Sequence, residues 1–229
     1  MNKLIVNFFK KLKIFHNIYL KHKYYKKRNS YSMEGEDLII ADFFKDINNG
    51  SYIDAGCYHP LHLSNTYLLY KKGWRGVNID LSEYTIDLFN FLRPDDVNIN
   101  SAITNYDGEI KYYYQKELSQ LTSVKKEIAI KRMQGEIKEK KIKSLKIDTI
   151  LNYSKFKNNR IDFLNIDVEG GDFDALRSID LNVYKPKMIC IEIDEKNILS
   201  SNIYSYLIKF NYKKVWSSSS NLSHIFTKK

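Results

Sequence analysis

Three short apolar runs in this chain each deliver an acidic residue at or near their end: Tyr52-Ile53-Asp54, Gly76-Val77-Asn78-Ile79-Asp80 and Ile161-Asp162-Phe163-Leu164-Asn165-Ile166-Asp167. Runs of this length, rich in β-branched and aromatic residues, read as buried strands. Similar runs occur at 97–99, 188–193, 213–216 and 225–227, and helical patterns occupy 36–46, 63–72, 83–92, 144–153, 172–178 and 200–209. Strands alternating with helices predict βαβ units and a mostly parallel sheet covered on both faces. The Lys-rich segment 125–143 reads as a solvent-exposed helix or lid. At 229 residues, with 3 Pro and 9 Gly, the chain is sized for one globular α/β domain.

Charge is distributed unevenly. The formal net charge is +10, but residues 1–28 contain nine Lys/Arg and no acid, leaving 28 basic and 27 acidic residues elsewhere. A near-neutral body argues against a general polyanion-binding surface, so nucleic acid is not an expected partner. Within the arm, Leu4, Ile5, Phe8, Phe9, Leu12, Phe15 and Tyr19 recur at helical spacing with lysines between them. Residues 1–30 therefore read as a basic amphipathic extension to a domain spanning 31–229. The arm suits an anionic membrane surface or a protein partner; packing on its own domain is the alternative. No run reaches the length of a membrane span and no signal peptide is evident. Cys57 and Cys190 are too few for a disulfide framework, which suits the cytoplasm, with peripheral membrane association as a further expectation.

In an open α/β sheet ligands bind beyond the carboxyl ends of strands, where Gly56 permits close backbone approach. Asp54 ends the first such strand. Asp80, 26 residues later, is placed to accept ribose hydroxyls, although capping the helix 83–92 would also explain it. A dinucleotide site would need Gly-x-Gly-x-x-Gly to seat its pyrophosphate. The sequence offers Gly56-Cys57-Tyr58-His59-Pro60 instead, which favours a cofactor without phosphates, S-adenosylmethionine. Asp167 and Glu169 arrive at the same rim, either as base and metal ligand or as acids complementing the helix dipole at 172–178.

Taken together, Glu34-Gly35-Glu36-Asp37-Leu38-Ile39, Tyr52-Ile53-Asp54-Ala55-Gly56, His59-Pro60, Ser64-Asn65-Thr66, Gly73-Trp74-Arg75-Gly76, Ile79-Asp80, Arg93-Pro94, 161–172 and 185–192 resemble the FkbM-type methyltransferase family in order and spacing. The resemblance covers about residues 31–195. It implies a Rossmann-like class I methyltransferase fold, a mostly parallel sheet with helices on both faces and a terminal antiparallel strand. It also implies S-adenosylmethionine as donor and O-methylation, often in polysaccharide, glycolipid or secondary-metabolite pathways. Carried over, it sets Asp54 and Gly56 beneath the amino-acid part of the cofactor, with Cys57 beside them. Asp80 would lie on the ribose, Ser101 and Ala102 near the adenine, and Glu36 and Asp37 along the cofactor side. Met33 and Cys57 stand where the family usually has Gln and Ala.

A sugar hydroxyl is a weak nucleophile near neutral pH, so a nearby base assists methyl transfer. His59 and Asp167 are the candidates, with Glu169 assisting or helping to hold a divalent cation. Ser64, Asn65 and Thr66 either cap a helix or touch ligand. Two further readings compete: a nucleic-acid methyltransferase, disfavoured by the lack of an Asn/Asp-Pro-Pro-aromatic motif, and a cofactor-binding interaction subunit without chemistry.

Overall fold

The computed structural model describes residues 3–157, 159–195 and 197–229, apart from the side chains of Lys3 and Leu4. Its centre is a seven-stranded sheet. Strands β1 (Ser51–Ala55), β2 (Arg75–Asp80), β3 (Val97–Asn100), β7 (Phe163–Ile166), β8 (Met188–Glu192), β9 (Tyr212–Ser217) and β10 (Ser223–Lys228) adopt the order β3-β2-β1-β7-β8-β10-β9. Pairing is parallel from β3 through β8, whereas β10 runs antiparallel to both β8 and β9. This is a Rossmann-like arrangement with an antiparallel strand at its C-terminal end. The order reverses between β1 and β7, which makes their carboxyl ends the place for a ligand.

Strand alternation explains the two layers of helices. Ile53, Ala55, Val77, Ile79, Leu164 and Ile166 pack in one apolar cluster with α6 (Ile147–Asn152), α7 (Asp172–Arg177) and α8 (Asn202–Lys209). Tyr52, Phe163, Met188 and Cys190 pack in another, beneath α2 (Glu36–Phe43), α3 (Tyr67–Lys71) and Trp74. The strand-only periods leave both faces apolar, as a buried parallel sheet requires.

A polar row crosses this interior. Asn98, Asn78, Asp54, Asn165 and Cys190 stand side by side in the register. Buried amides of this kind need partners. Asn78 donates to Asn98 at 2.8 Å and to Asp96 at 3.0 Å, and Asn165 donates to Asp54 at 2.9 Å, which ties neighbouring strands in register while Asn78 Oδ1 is left without a partner.

The Lys-rich segment departs from expectation. Only Lys126–Arg132 is helical (α5); Lys138–Leu145 is a strand, β6, paired antiparallel with β5 (Gly108–Tyr114) and parallel with the short β4 (Ala102–Ile103). Lysines at 138, 140, 141 and 143 suggested a solvated helix, but they lie on an open sheet edge region where Lys111 pairs with Glu139 and Lys141 with Glu109. Cross-strand ion pairs replaced the helical ones that the composition suggested.

The arm forms helix α1 (Lys3–Phe15) followed by a π-turn at His16–Lys21. It packs against α4 (Glu83–Leu92) through Ile14 and Ile18, which are buried with Leu61, Tyr84 and Leu88. Phe8, Leu12 and Phe15, read from the sequence as one apolar face, stay exposed, and the residues that seal the arm to the domain, Ile14 and Ile18, lie outside that face. Among the described residues no helix is long and apolar enough to cross a membrane.

Candidate active site

A cleft of about 1050 Å³, counting its open mouth, lies over the ends of β1, β2 and β7. Its base is the turn after β1. Gly56 has φ of +81°, and a Cβ there would run into the Asp167 carbonyl, so only glycine lets the β1 turn touch the end of β7. The amides of the turn are all occupied internally. Gly56 and Cys57 both donate to the Ile79 carbonyl, Tyr58 donates to Asp80 Oδ2 at 3.0 Å and His59 to the Cys57 carbonyl. The next helix, α3, begins only at Tyr67. Neither free backbone donors nor a helix N-terminus therefore faces the cleft at this turn, the two features by which a pyrophosphate is usually held.

Asp54 is buried with both oxygens engaged: Thr66 donates to Oδ2 at 2.6 Å and Asn165 to Oδ1 at 2.9 Å. Burial, more than these donors can offset, raises its pKa. Asp80 closes the opposite wall. Its Oδ2 accepts from Tyr58 and its Oδ1 from Ser82 at 2.8 Å, leaving each oxygen a further lone pair. Burial pushes its pKa up to about 6 despite those two amides. The capping role considered for Asp80 falls to Ser82, which accepts from the Thr85 amide. Glu36, Cys57 and Ser101 also line the cleft. Burial pushes the Cys57 thiol well up, away from a nucleophilic thiolate. Ala102 does not line it, being paired into β4 against Ser144, and Ile103 takes that place on the wall. Asp37 is turned away and accepts from Ser30, Ser32 and the Tyr31 amide.

Behind the turn sits a cation that sequence reasoning left without a role. Arg93 is fully buried, donating to Thr66 Oγ1 at 2.8 Å, Ser64 Oγ at 2.9 Å, Tyr52 and the Pro60 carbonyl. It thereby holds the loop 60–66, and through Thr66 it orients Asp54. Of the three polar residues considered as caps or contacts, Asn65 faces the cleft and donates to Asn165 at 3.0 Å, while Ser64 and Thr66 serve Arg93 and Asp54.

The third wall is acidic. Carboxylate oxygens of Asp167, Asp172 and Glu192 lie within 4.8 Å of one another. Asp167 meets the solvent of the cleft, yet the depth of the floor and the charges of Glu192, Glu169 and Asp172 push its pKa well up. Asp172 accepts from the Val168 amide at 2.9 Å and the Gly170 amide at 3.0 Å, and burial followed by Glu192 moves its pKa to about 7. Glu169, at a φ of +54°, is moved to about 8 by burial and then by Glu192. The cation considered for Glu169 has a counterpart in the protein itself: Arg132 of α5 pairs with Glu169, with Asp194 at 2.8 Å and with Glu192 at 3.7 Å. Arg132 lies in the Lys-rich segment and had no motif to announce it.

His59 is not brought to this cleft. It is buried, its Nδ1 accepts from the Leu61 amide at 3.0 Å and the His62 amide at 2.9 Å, and its ring lies 5.5 Å from that of His22 on the arm. Burial followed by His22 lowers its pKa well below the usual histidine value.

Beside the cleft, and sharing Thr122 with it, runs a groove lined by Tyr84, Tyr112 and Tyr114. Ser119, Gln120 and Val124 complete the cleft wall next to Thr122.

A family model described as the methyltransferase FkbM domain matches residues 48–214. No curated protein matches. Among solved structures, a TehB-like SAM-dependent methyltransferase from Corynebacterium glutamicum is similar at 13% identity, covering 86% of this chain and 89% of that one with a TM-score of 0.44.

Proposed function

Since the chain belongs to the FkbM methyltransferase family, we propose that it uses S-adenosylmethionine as donor and methylates an oxygen of a sugar or similar polar acceptor. The observation that carries the donor assignment is the turn at 56–59, whose amides are spent within the protein and leave nothing to bind a pyrophosphate. A cofactor without phosphates fits such a turn. When bound, S-adenosylmethionine supplies an electrophilic methyl group on a sulfonium.

The residues divide the work by position. Asp80 offers its remaining lone pairs to ribose hydroxyls, and Ser101 with Ile103 flanks the base beyond it. Gly56, Glu36 and Asn65 border the amino-acid end, with Asp54 held rigid beneath them by Thr66 and Asn165. Asp167 is the base. Glu192, with a carboxylate oxygen within 4.8 Å of that of Asp167, can share the proton Asp167 takes from the acceptor hydroxyl. Glu169 and Arg132 orient this pair and balance its charge. The tyrosine groove next to Thr122 suits the apolar face of a sugar ring while its hydroxyls meet water.

Calorimetry with S-adenosylmethionine, its demethylated product and NAD tests the donor. Binding of the first two alone supports the reading; binding of NAD alone overturns it. Transfer of labelled methyl groups to a panel of free sugars, glycolipids, DNA and RNA tests the acceptor. Label confined to nucleic acid would remove the sugar assignment, and donor binding with no label anywhere would favour an interaction subunit without chemistry.

A further inference from the structure

Helix α1 carries two apolar faces, and the domain uses one. Ile14 and Ile18 are sealed against Leu61, Tyr84 and Leu88, and Lys10 reaches Asp87 at 2.7 Å from the same helix. At about 100° per residue, Ile5, Phe8, Leu12 and Phe15 fall on one stripe opposite Ile14, with Phe9 at its edge. All five are 47–62% exposed. Beyond Phe15 the π-turn advances less per residue, and it keeps Ile18 on the domain side while Leu20 remains exposed. A contiguous row of large apolar side chains on one exposed helix is uncommon on a soluble monomer.

Charge selects the occupant. Residues 1–28 hold nine Lys/Arg and no acid, and Lys11, Lys21, Lys23, Lys26, Lys27 and Arg28 are exposed. A second copy would set two such arms face to face, with like charges opposed. An anionic lipid surface accepts the stripe and the cations together. We propose that α1 docks the protein on a bilayer containing anionic phospholipid, its outer stripe entering the acyl boundary and the basic cluster 21–28 lying over the headgroups.

Removing the arm is an unsuitable test, because it would uncover Tyr84 and Leu88. The full chain is instead sedimented with vesicles of phosphatidylcholine alone or with phosphatidylglycerol admixed, at low and high salt. The expected result is binding to the anionic vesicles only, weakened by salt. Phe8→Ser/Leu12→Ser/Phe15→Ser should lower that binding by about tenfold or more, with thermal stability and donor affinity retained. Lys23→Gln/Lys26→Gln/Lys27→Gln should lower it and flatten the salt dependence. Equal binding of the serine variant, equal binding to neutral vesicles, or no binding by the wild type would overturn the proposal. So would a wild-type dimer that the serine variant dissociates, which would give the stripe to a second copy. None of these outcomes bears on donor binding, so the proposal and the methyltransferase reading fail separately.

Discussion

The acidic wall of the cleft and the seam between the arm and the domain are built by the same operation with opposite results. Both bury titratable side chains, and burial penalises whichever form is charged. At the wall this raises the pKa values of Asp172 and Glu169 to about 7 and about 8. At the seam it strips protons from His22, His59 and His62, helped by the positive neighbours Lys21 and Arg28. The wall opens to a cleft, where Asp167 and Glu169 can exchange protons with a ligand. The seam lies away from the cleft, with His59 buried and the half-buried rings of His22 and His62 stacked at 3.8 Å, so its neutrality serves packing. A histidine and an aspartate that were both candidates for the base are thus separated by what lies in front of them.

The most severe way to break this contrast is chemical. Asp167→Asn should reduce methyl transfer by about a hundredfold or more while leaving donor affinity nearly unchanged, as measured by turnover and calorimetry on the same preparation. His59→Ala should lower the melting temperature and leave turnover per folded molecule intact. A turnover loss in His59→Ala comparable to that of Asp167→Asn would merge the two regions into one site.

Gly56→Ala tests whether the wall and the cofactor turn are held by one contact. A methyl at φ of +81° facing the Asp167 carbonyl should cost about 1–3 kcal/mol in backbone strain alone, read as a fall in melting temperature together with loss of donor binding. An intact donor affinity would show that the turn can move away without consequence. Asp80→Ala should weaken donor binding by roughly 1–3 kcal/mol, visible by calorimetry, with a smaller effect on stability.

The subtlest prediction concerns pH. At the cleft, folded-state pKa values lie above those of the unfolded chain, so the stability they contribute is complete below about pH 4. It is lost as pH rises through about 6 for Asp80, 7 for Asp172 and 8 for Glu169. At the seam the shift is downward, so stability is complete above about pH 6.5 and is lost as pH falls toward about 4 for His22. Melting temperature should therefore decline on both sides of mildly acidic pH, by a few degrees at about 2–4 °C per kcal/mol. Glu169→Gln should flatten the alkaline limb alone and His22→Gln the acid limb alone. If either substitution moves both limbs, the regions are coupled.

The sequence exposes these two regions to different degrees. Asp54, Gly56, Asp80 and Asp167 were legible because they end apolar strands, and the rule that ligands sit beyond strand ends needs no contact information. The polar row was half legible: Asn78 and Asn165 interrupt apolar runs, a signal that a strand interior there must pair its side chains. Arg132 was hidden, since one arginine in a Lys-rich segment carries no period or spacing that points to Glu169, 37 residues on. The β5–β6 pairing was hidden for a related reason, its register being set by cross-strand pairs that a local pattern does not contain. His59 misled because the identity of a side chain says nothing about which of its nitrogens the backbone has already taken.

No side chain separates Gly56 from the Asp167 carbonyl, so the span between the turn after β1 and the end of β7 is fixed by main-chain geometry in two neighbouring strands. The loop 57–66 is tied into this frame through the Tyr58 amide, Thr66 and Arg93, whereas the segment 115–122 hangs from it without setting it. That segment can change length and composition, and with them the shape of the acceptor that can enter, while the span beneath it stays constant. On the proposed assignment, acceptor range and transfer geometry are thereby set by separate parts of the molecule, and a substitution at Gly56 would alter the second.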